Sequence, residues 1–244
     1  MSSENGLATP VGIRSDRILT LPSVAFIFAL VLGAVALTAA YFVTSRFLPN
    51  DNEVVRYWLQ MFDINGEGTI PSWFSSALWL LSSALAILAA IGDRQAGRAM
   101  WHWLGLASVF ALLSLDEAAS LHENIGYVLD LVIHMHGALA WSWVFFGALL
   151  FTLVAAVFGR FILTLPIATA ATFVVAALVF LAGALGVEMY SAAIAEGATR
   201  FPSWLNWTRI LALEELLEML GVIINLAALL QVLRGQSPIM VRFR

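Results

Sequence analysis

The chain has 244 residues, of which 61% are hydrophobic and 11% are charged, and its net charge is −4. Soluble domains carry about 25% charged residues, so this composition, with a mean hydropathy of +0.90, indicates an integral membrane protein. The chain contains no cysteine and no lysine, which excludes disulfides, thiolate metal ligands and Schiff-base chemistry. The lack of a basic cluster excludes nucleic acid as a partner.

The predicted elements begin with a polar N-terminal tail, residues 1–20, which lacks the apolar core of a signal peptide. The segments that follow are apolar and long enough to cross a bilayer as helices, which takes about 20 residues. They are residues 21–45, 71–92, 100–125, 137–159, 163–195 and 207–233. The connection 46–70 contains a short interfacial helix around VVRYWLQMF and a glycine-rich turn, DINGEGT, before Pro71. We therefore predict an all-α, polytopic membrane bundle of six helices over 21–233 and a C-terminal tail over 234–244.

The arginines predict the orientation of this bundle, because short cytoplasmic loops carry the excess of positive charge. One side of the predicted topology carries Arg14, Arg17, Arg94, Arg98, Arg160, Arg234, Arg242 and Arg244. Both termini are therefore predicted to be cytoplasmic, with the protein in the inner (plasma) membrane. The opposite side carries the tryptophans of an interfacial aromatic belt, namely Trp58, Trp73, Trp141, Trp143, Trp204 and Trp207.

The third predicted helix carries the stretch SLDEAASLHE near its non-cytoplasmic end. At about 100° per residue, Asp116, His122 and Glu123 fall on one arc of about 120°, and Glu117 points away from its centre.

Two other helices carry acids at a similar depth. Glu188 lies late in the fifth helix, close to Gly183 and Gly186, which would permit close helix packing. The sixth helix has an acidic stripe that Asn225 continues two turns deeper, and this stripe consists of Glu214, Glu215 and Glu218. We therefore expect the acids of three helices to converge.

Carboxylates within a bilayer are paired, protonated or bound to metal, because an isolated charge is costly there. Arg209 is predicted to face away from the acidic stripe, so a divalent metal (iron, manganese or zinc) would neutralise these oxygen and imidazole ligands most economically. The predicted ligands are Asp116, His122, Glu123, Glu188, Glu214 and Glu218. Further candidates are Glu117, Glu215, Asn225, His134 and His136. Two alternatives stay open: the carboxyls share protons, or they form a purely structural polar cluster.

The motifs SLDEAASLHE, GVEMYS and LEELLEMLG resemble those of a group of uncharacterised bacterial six-helix integral membrane proteins. This resemblance covers most of the chain and implies a fold without a reaction. The chain is also loosely similar to the alkaline ceramidase-like membrane hydrolase superfamily, whose members hold zinc with serine, aspartate and histidines. It differs from that superfamily in its six predicted helices, its lack of paired histidines on a late helix and its many acids.

Three functions remain open from the sequence. The first is a membrane-embedded metal enzyme, a hydrolase or an oxidoreductase, that acts on a lipid or a quinone. The second is a proton or cation transporter with the acids as a relay. The third is a non-catalytic subunit that binds partner subunits in a larger membrane complex.

Overall fold

The computed structural model describes residues 23–47 and 51–236, and all regular secondary structure in these ranges is helical. The α-helices are α1 (Ser23–Phe47), α2 (Glu53–Gln60), α3 (Ile70–Gln95), α4 (Trp101–Ala119), α5 (Leu121–Asp130), α6 (Ser142–Ile162), α7 (Ile167–Leu181), α8 (Glu188–Ala195) and α9 (Trp207–Gly235). A 3-10 turn at Gly137–Leu139 precedes α6, and a π-helical turn at Ala182–Val187 joins α7 to α8. The predicted tail 1–20 lies outside the described residues, as do Arg14, Arg17, Arg242 and Arg244.

Several of these helices are long and apolar enough to cross a membrane. Five segments meet this condition by length and composition, and they are α1, α3, α6, α9 and the continuous segment Ile167–Ala195 that contains α7 and α8. The bent pair α4 and α5 makes a sixth only when the two helices are counted as one span. This all-helical architecture is compatible with the predicted membrane bundle.

Helix α9 lies at the centre of the bundle and packs against α1, α3, α7 and the π-helical turn. Its apolar side chains Met219, Val222 and Leu226 are fully buried. Gly183 allows the π-helical turn to approach α9, because a Cβ at Gly183 would lie 2.7 Å from the carbonyl oxygen of Glu214. The predicted role of Gly186 is not found, since a Cβ there would meet only the Leu181 carbonyl oxygen at 3.8 Å.

Helices α3 and α4 are antiparallel neighbours held together by serines of α3. Ser76 Oγ donates to the carbonyl oxygen of Ser114 at 2.8 Å, and Ser83 Oγ donates to that of Ala107 at 2.8 Å. Ser72, at the start of α3, donates to the carbonyl oxygen of Glu117 at 3.2 Å. The N-terminus of α3 therefore lies against the C-terminus of α4.

The prediction of one continuous helix over residues 100–125 is wrong. Helix α4 ends at Ala119, Ser120 has a left-handed conformation with φ 43°, and α5 leaves at an angle of 73° to α4. Side chains replace the helical hydrogen bonds that this bend removes. The Asn124 side chain donates to the Ser120 carbonyl oxygen at 2.7 Å, and Asp116 Oδ1 accepts from the His122 backbone N–H at 2.7 Å.

The fourth predicted span also begins too early. The predicted span covers residues 137–159, whereas α6 runs over Ser142–Ile162. The physical reason is the Asp130 carboxylate, which accepts the Ser142 backbone N–H at 3.1 Å and so fixes the first turn of α6. The predicted helix around VVRYWLQMF is present as α2, capped by the Asn52 side chain.

One end of the bundle, which we call the Asp93 end, is held by a single buried carboxylate. Asp93 Oδ1 accepts from Arg98 Nη2 at 2.7 Å and from Gln236 Nε2 at 2.8 Å, and Asp93 Oδ2 accepts from Trp103 Nε1 at 3.0 Å. These hydrogen bonds join the end of α3, the start of α4 and the end of α9. The carboxylate has donors on both oxygens, which is the normal condition for a buried charge.

Candidate functional site

Acidic side chains from four helices come together at the opposite end of the bundle. Each of them lies within electrostatic range of an ionisable group on another helix or in the loop before α3. We call this group the acidic cluster, and its members are Asp116, Glu117, His122, Glu123, Glu188, Glu214, Glu215 and Glu218. All six predicted ligands are therefore in one region, although the bend at Ser120 means that Asp116, His122 and Glu123 do not share one helix face.

Asp116 and His122 form a dyad across the bend. His122 Nδ1 lies 2.9 Å from Asp116 Oδ2, while the other carboxylate oxygen accepts the His122 backbone N–H. Asp116 thus caps the N-terminus of α5, where an anion is favoured, and orients the imidazole at the same time. Because Nδ1 is occupied by this contact, Nε2 is the ring nitrogen left to act on another group.

Glu188 and Glu214 form a carboxyl pair between α8 and α9. Their side chains lie within hydrogen-bonding distance of each other, and Glu188 Oε1 also accepts from Trp143 Nε1 at 2.9 Å. Two carboxylates at such a distance repel, so the pair needs a proton or another cation between its oxygens. Glu214 is buried, with 7% of its surface exposed, and its Oε2 has no hydrogen-bond partner among the described residues.

A second carboxyl pair joins the cluster to the loop before α3. The Glu123 side chain lies within hydrogen-bonding distance of Glu67, and both residues are exposed. Asp63 of the same loop lies within electrostatic range of Glu215 and of Tyr41 on α1. Glu67, Asp63 and Trp143 were not predicted to take part. For Asp63 and Glu67, the signal in the sequence was that the acids of DINGEGT lie on the same predicted side of the membrane as the cluster.

Glu117 is predicted to point away from the centre of the arc of Asp116, His122 and Glu123, and it is also one of the further candidate ligands. It is partly buried and lies within electrostatic range of Glu215 and Glu218 on α9. The helical angle that placed Glu117 away from the centre of the arc assumed that α4 continues past Ser120. Since α4 ends two residues after Glu117, the stripe on which that angle depended does not exist.

None of the arginines in residues 23–47 and 51–236 forms an ion pair with the acidic cluster. Within the part of the chain that the structure describes, the arginine ion pairs are Arg56 with Glu53 and Arg98 with Asp93, both outside the cluster. Arg209 is exposed and donates to the Trp204 carbonyl oxygen, so it faces away from the acidic stripe of α9. The charge of the cluster is therefore left to protons or to bound cations.

The acidic cluster is arranged mainly in pairs. Across residues 23–47 and 51–236, no group of three or more His, Asp and Glu side chains is positioned to hold a metal ion. Protons suit this arrangement directly, because one proton suffices for each carboxyl pair. Metal binding would require the pairs to move closer together.

Three further candidates lie outside the cluster. His134 is exposed, and His136 Nδ1 lies 3.4 Å from Glu196 Oε2 in an exposed pair. Asn225 is buried on α9, seven residues beyond Glu218 and thus about 10 Å deeper, and its Nδ2 has no partner among the described residues. The structure therefore does not bring these three side chains to the carboxyl pairs.

The acidic cluster is open at one end and closed at the other. Glu123 and Glu67 are exposed at the end of the bundle, whereas Met219, Val222 and Ile223 form a buried apolar layer on α9 directly beyond Glu218. An oriented histidine and several carboxyl groups next to an apolar wall can exchange protons with a bound molecule. At this end of the bundle, the exposed side chains of Glu123 and Glu67 are accessible from outside the protein.

Comparison with known proteins gives a family and nothing more specific. The curated proteins give no match, and the solved structures give no match. A family model described as "Domain of unknown function (DUF8692)" matches residues 24–233, which include every helix that contributes to the acidic cluster. The chain belongs to this family, DUF8692.

Proposed function

We propose that the protein is a membrane-embedded enzyme that uses the acidic cluster for acid–base chemistry on a lipid or a quinone. The observation that carries this proposal is the pairing of Glu188 with Glu214 and of Glu123 with Glu67, without an arginine partner among the described residues. Such pairs hold protons that can be donated and recovered. His122, oriented by Asp116, supplies a second proton-exchanging group.

The proposed placement follows from the arginines of the sequence. Both termini are cytoplasmic, the protein crosses the inner (plasma) membrane six times, and the acidic cluster opens toward the non-cytoplasmic leaflet. A lipid or a quinone reaches such a site from within the bilayer. The apolar layer beyond Glu218 favours an enzyme over a transporter, because a relay across the membrane would need polar groups through that layer.

A metal-dependent version of the same enzyme is the second candidate. It is supported by the Asp116–His122 dyad, since a metal-ligating histidine typically has its other ring nitrogen bound to a carboxylate. Glu214 Oε2, buried without a partner in the described chain, is a further oxygen for a cation such as iron, manganese or zinc. The acids and His122 would then be ligands, and one or two carboxyls would remain as bases.

Elemental analysis and infrared spectroscopy of the purified protein separate these two versions. We expect no stoichiometric divalent metal, and an absorption band of protonated carboxyl groups whose intensity Glu214→Gln lowers, because the pair of Glu123 and Glu67 keeps its proton in that variant. The matched control is Glu196→Gln, which changes an exposed glutamate outside the cluster and should leave the band intact. One or two metal ions per chain that are lost in Glu214→Gln would instead establish the metal-dependent version.

The enzymatic part is tested in cells. Mass spectrometry of the membrane lipids and quinones should show species whose amounts differ between cells with the unmodified protein and cells with Glu214→Gln. Cells with Glu196→Gln should match those with the unmodified protein. Identical lipid and quinone profiles in all three, together with unchanged co-purifying subunits, would contradict the proposal and favour a non-catalytic subunit.

A further inference from the structure

Helix α5 has two surfaces that do not pack against the rest of the protein, and one of them is apolar while the other is polar. At about 100° per residue, the apolar side chains fall on one arc of about 60°. They are Leu121, Ile125 and Val128 within α5 and Val132 just after it, with exposures of 38%, 54%, 58% and 77%. The side chains of Glu123 and Tyr127 lie on a separate arc. The remaining side of α5, which includes Gly126, packs against Trp143 of α6.

The bend at Ser120 determines how this helix lies relative to the bundle. Helix α5 is inclined at 73° to α4, and α4 is antiparallel to and packed along the long apolar helix α3. If α3 and α4 stand close to the membrane normal, α5 lies nearly in the membrane plane. The residues along α5 would then lie at a similar height along the membrane normal. The apolar arc would face the lipid, and the arc of Glu123 and Tyr127 would face the water.

Tryptophans mark the membrane interface at the same end of the molecule. Trp58 on α2, Trp73 at the start of α3 and Trp204 before α9 have exposures of 64%, 70% and 65%. Exposed indole rings at helix ends are typical of the boundary between headgroups and acyl chains. Helix α5 begins after the end of α4, which lies beside the start of α3, and so it is at this level.

We propose that α5 lies in the plane of the membrane interface, with the stripe Leu121, Ile125, Val128 and Val132 inserted among lipid acyl chains. The opposite arc, with Glu123 and Tyr127, faces the headgroups and the water. This arrangement is that of an interfacial amphipathic helix. It leaves His122, on the protein side of α5, at the depth of the lipid headgroups. The inference depends on the membrane bundle, in which α4 alone, with 19 residues, would then make the third of the six proposed crossings, and it is independent of the proposed enzymatic activity.

Single-cysteine spin labelling tests the position of α5, since the natural chain has no cysteine. Leu121→Cys, Ile125→Cys, Val128→Cys and Tyr127→Cys are labelled separately in vesicles of phosphatidylcholine and phosphatidylglycerol. Leu153→Cys, an exposed position in the middle of α6, gives the reference for the bilayer centre. Collision rates with oxygen report lipid, and those with a water-soluble nickel chelate report water.

For an in-plane helix, oxygen collisions should exceed nickel collisions at 121, 125 and 128, and the reverse should hold at 127. The depths of 121 and 128 should differ by about 3 Å, as an inclination of 73° requires, and both should be shallower than 153. A difference of about 10 Å between 121 and 128 would mean that α5 continues the span, and would overturn the proposal. Low rates with both reagents would mean that a protein covers the stripe, and nickel exceeding oxygen would mean that water does. Either result would also overturn it.

Discussion

At the Asp93 end of the bundle, one buried carboxylate accepts hydrogen bonds from Arg98, Trp103 and Gln236. At the other end, Glu188 and Glu214 face each other, and among the described residues Trp143 alone donates a hydrogen bond to the pair. Helices α4 and α9 take part at both ends, together with α3 at the Asp93 end and with α5 and α8 at the acidic cluster. The difference teaches that burial alone does not identify a functional acid. A carboxylate with donors on both oxygens holds helices together, whereas two carboxyls that face each other are expected to lower stability.

The largest effect on stability is expected from removing the Asp93 carboxylate, which has hydrogen-bond donors on both oxygens. Asp93→Ala would leave Trp103 Nε1 buried without an acceptor, would remove the acceptor of Arg98, and would leave the Gln236 amide only the Ala89 carbonyl oxygen. It should lower the free energy of unfolding by about 3 kcal/mol. Detergent-induced unfolding followed by tryptophan fluorescence measures this. Glu53→Ala is the control, since its ion pair with Arg56 is exposed, and it should leave stability unchanged. If Asp93→Ala lowers the free energy of unfolding no more than Glu53→Ala does, Asp93 does not hold the helices together.

A smaller effect should come from packing at the acidic end. Gly183→Ala would place a Cβ 2.7 Å from the Glu214 carbonyl oxygen and 2.9 Å from Glu218 Cγ, and should cost about 2 kcal/mol of stability because backbone must move. Gly186→Ala is the matched control in the same π-helical turn, with 3.8 Å to its nearest atom. The same unfolding experiment compares the two variants. Equal stabilities would show that the close approach of the π-helical turn to α9 does not contribute to stability.

The smallest effect should have the opposite sign. Glu214→Gln gives Glu188 an amide donor in place of a second carboxyl, and should raise the free energy of unfolding by about 1 kcal/mol. Unfolding is measured as for the other variants, with Asp93→Asn as the comparison at the other end, where removing a charge should destabilise. If Glu214→Gln destabilises the protein as much as Asp93→Asn does, the acidic cluster is a structural network like the Asp93 end.

Apolar periodicity predicted most of the helices well. The bounds 71–92 and 207–233 fall inside α3 and α9, because long runs of apolar residues have no other stable conformation in lipid. The sequence also predicted that the acids of separate helices lie at a similar height along the bundle, since position along a helix converts directly into height. Their depth in the membrane stays a prediction.

The contacts between the acids did not follow from the sequence. At the bend at Ser120, backbone groups bond to the side chains of Asp116 and Asn124 and, from another helix, to that of Ser72. The pairing of Glu123 with Glu67 depends on a loop whose path no helical pattern describes. Both failures concern tertiary contacts made by polar side chains, which leave no periodic signal.

The π-helical turn at Ala182–Val187 has a consequence for how sequences of this family are compared. A π-helical turn contains about one residue more than an α-helical turn, so everything after it is rotated by roughly 100° relative to an uninterrupted α-helix. Glu188 follows directly and reaches both Trp143 and Glu214 in that rotated setting. A homologue that lacks one residue between 182 and 187 would direct its glutamate to a different neighbour, even though an alignment with a gap at that place would show the acid as conserved.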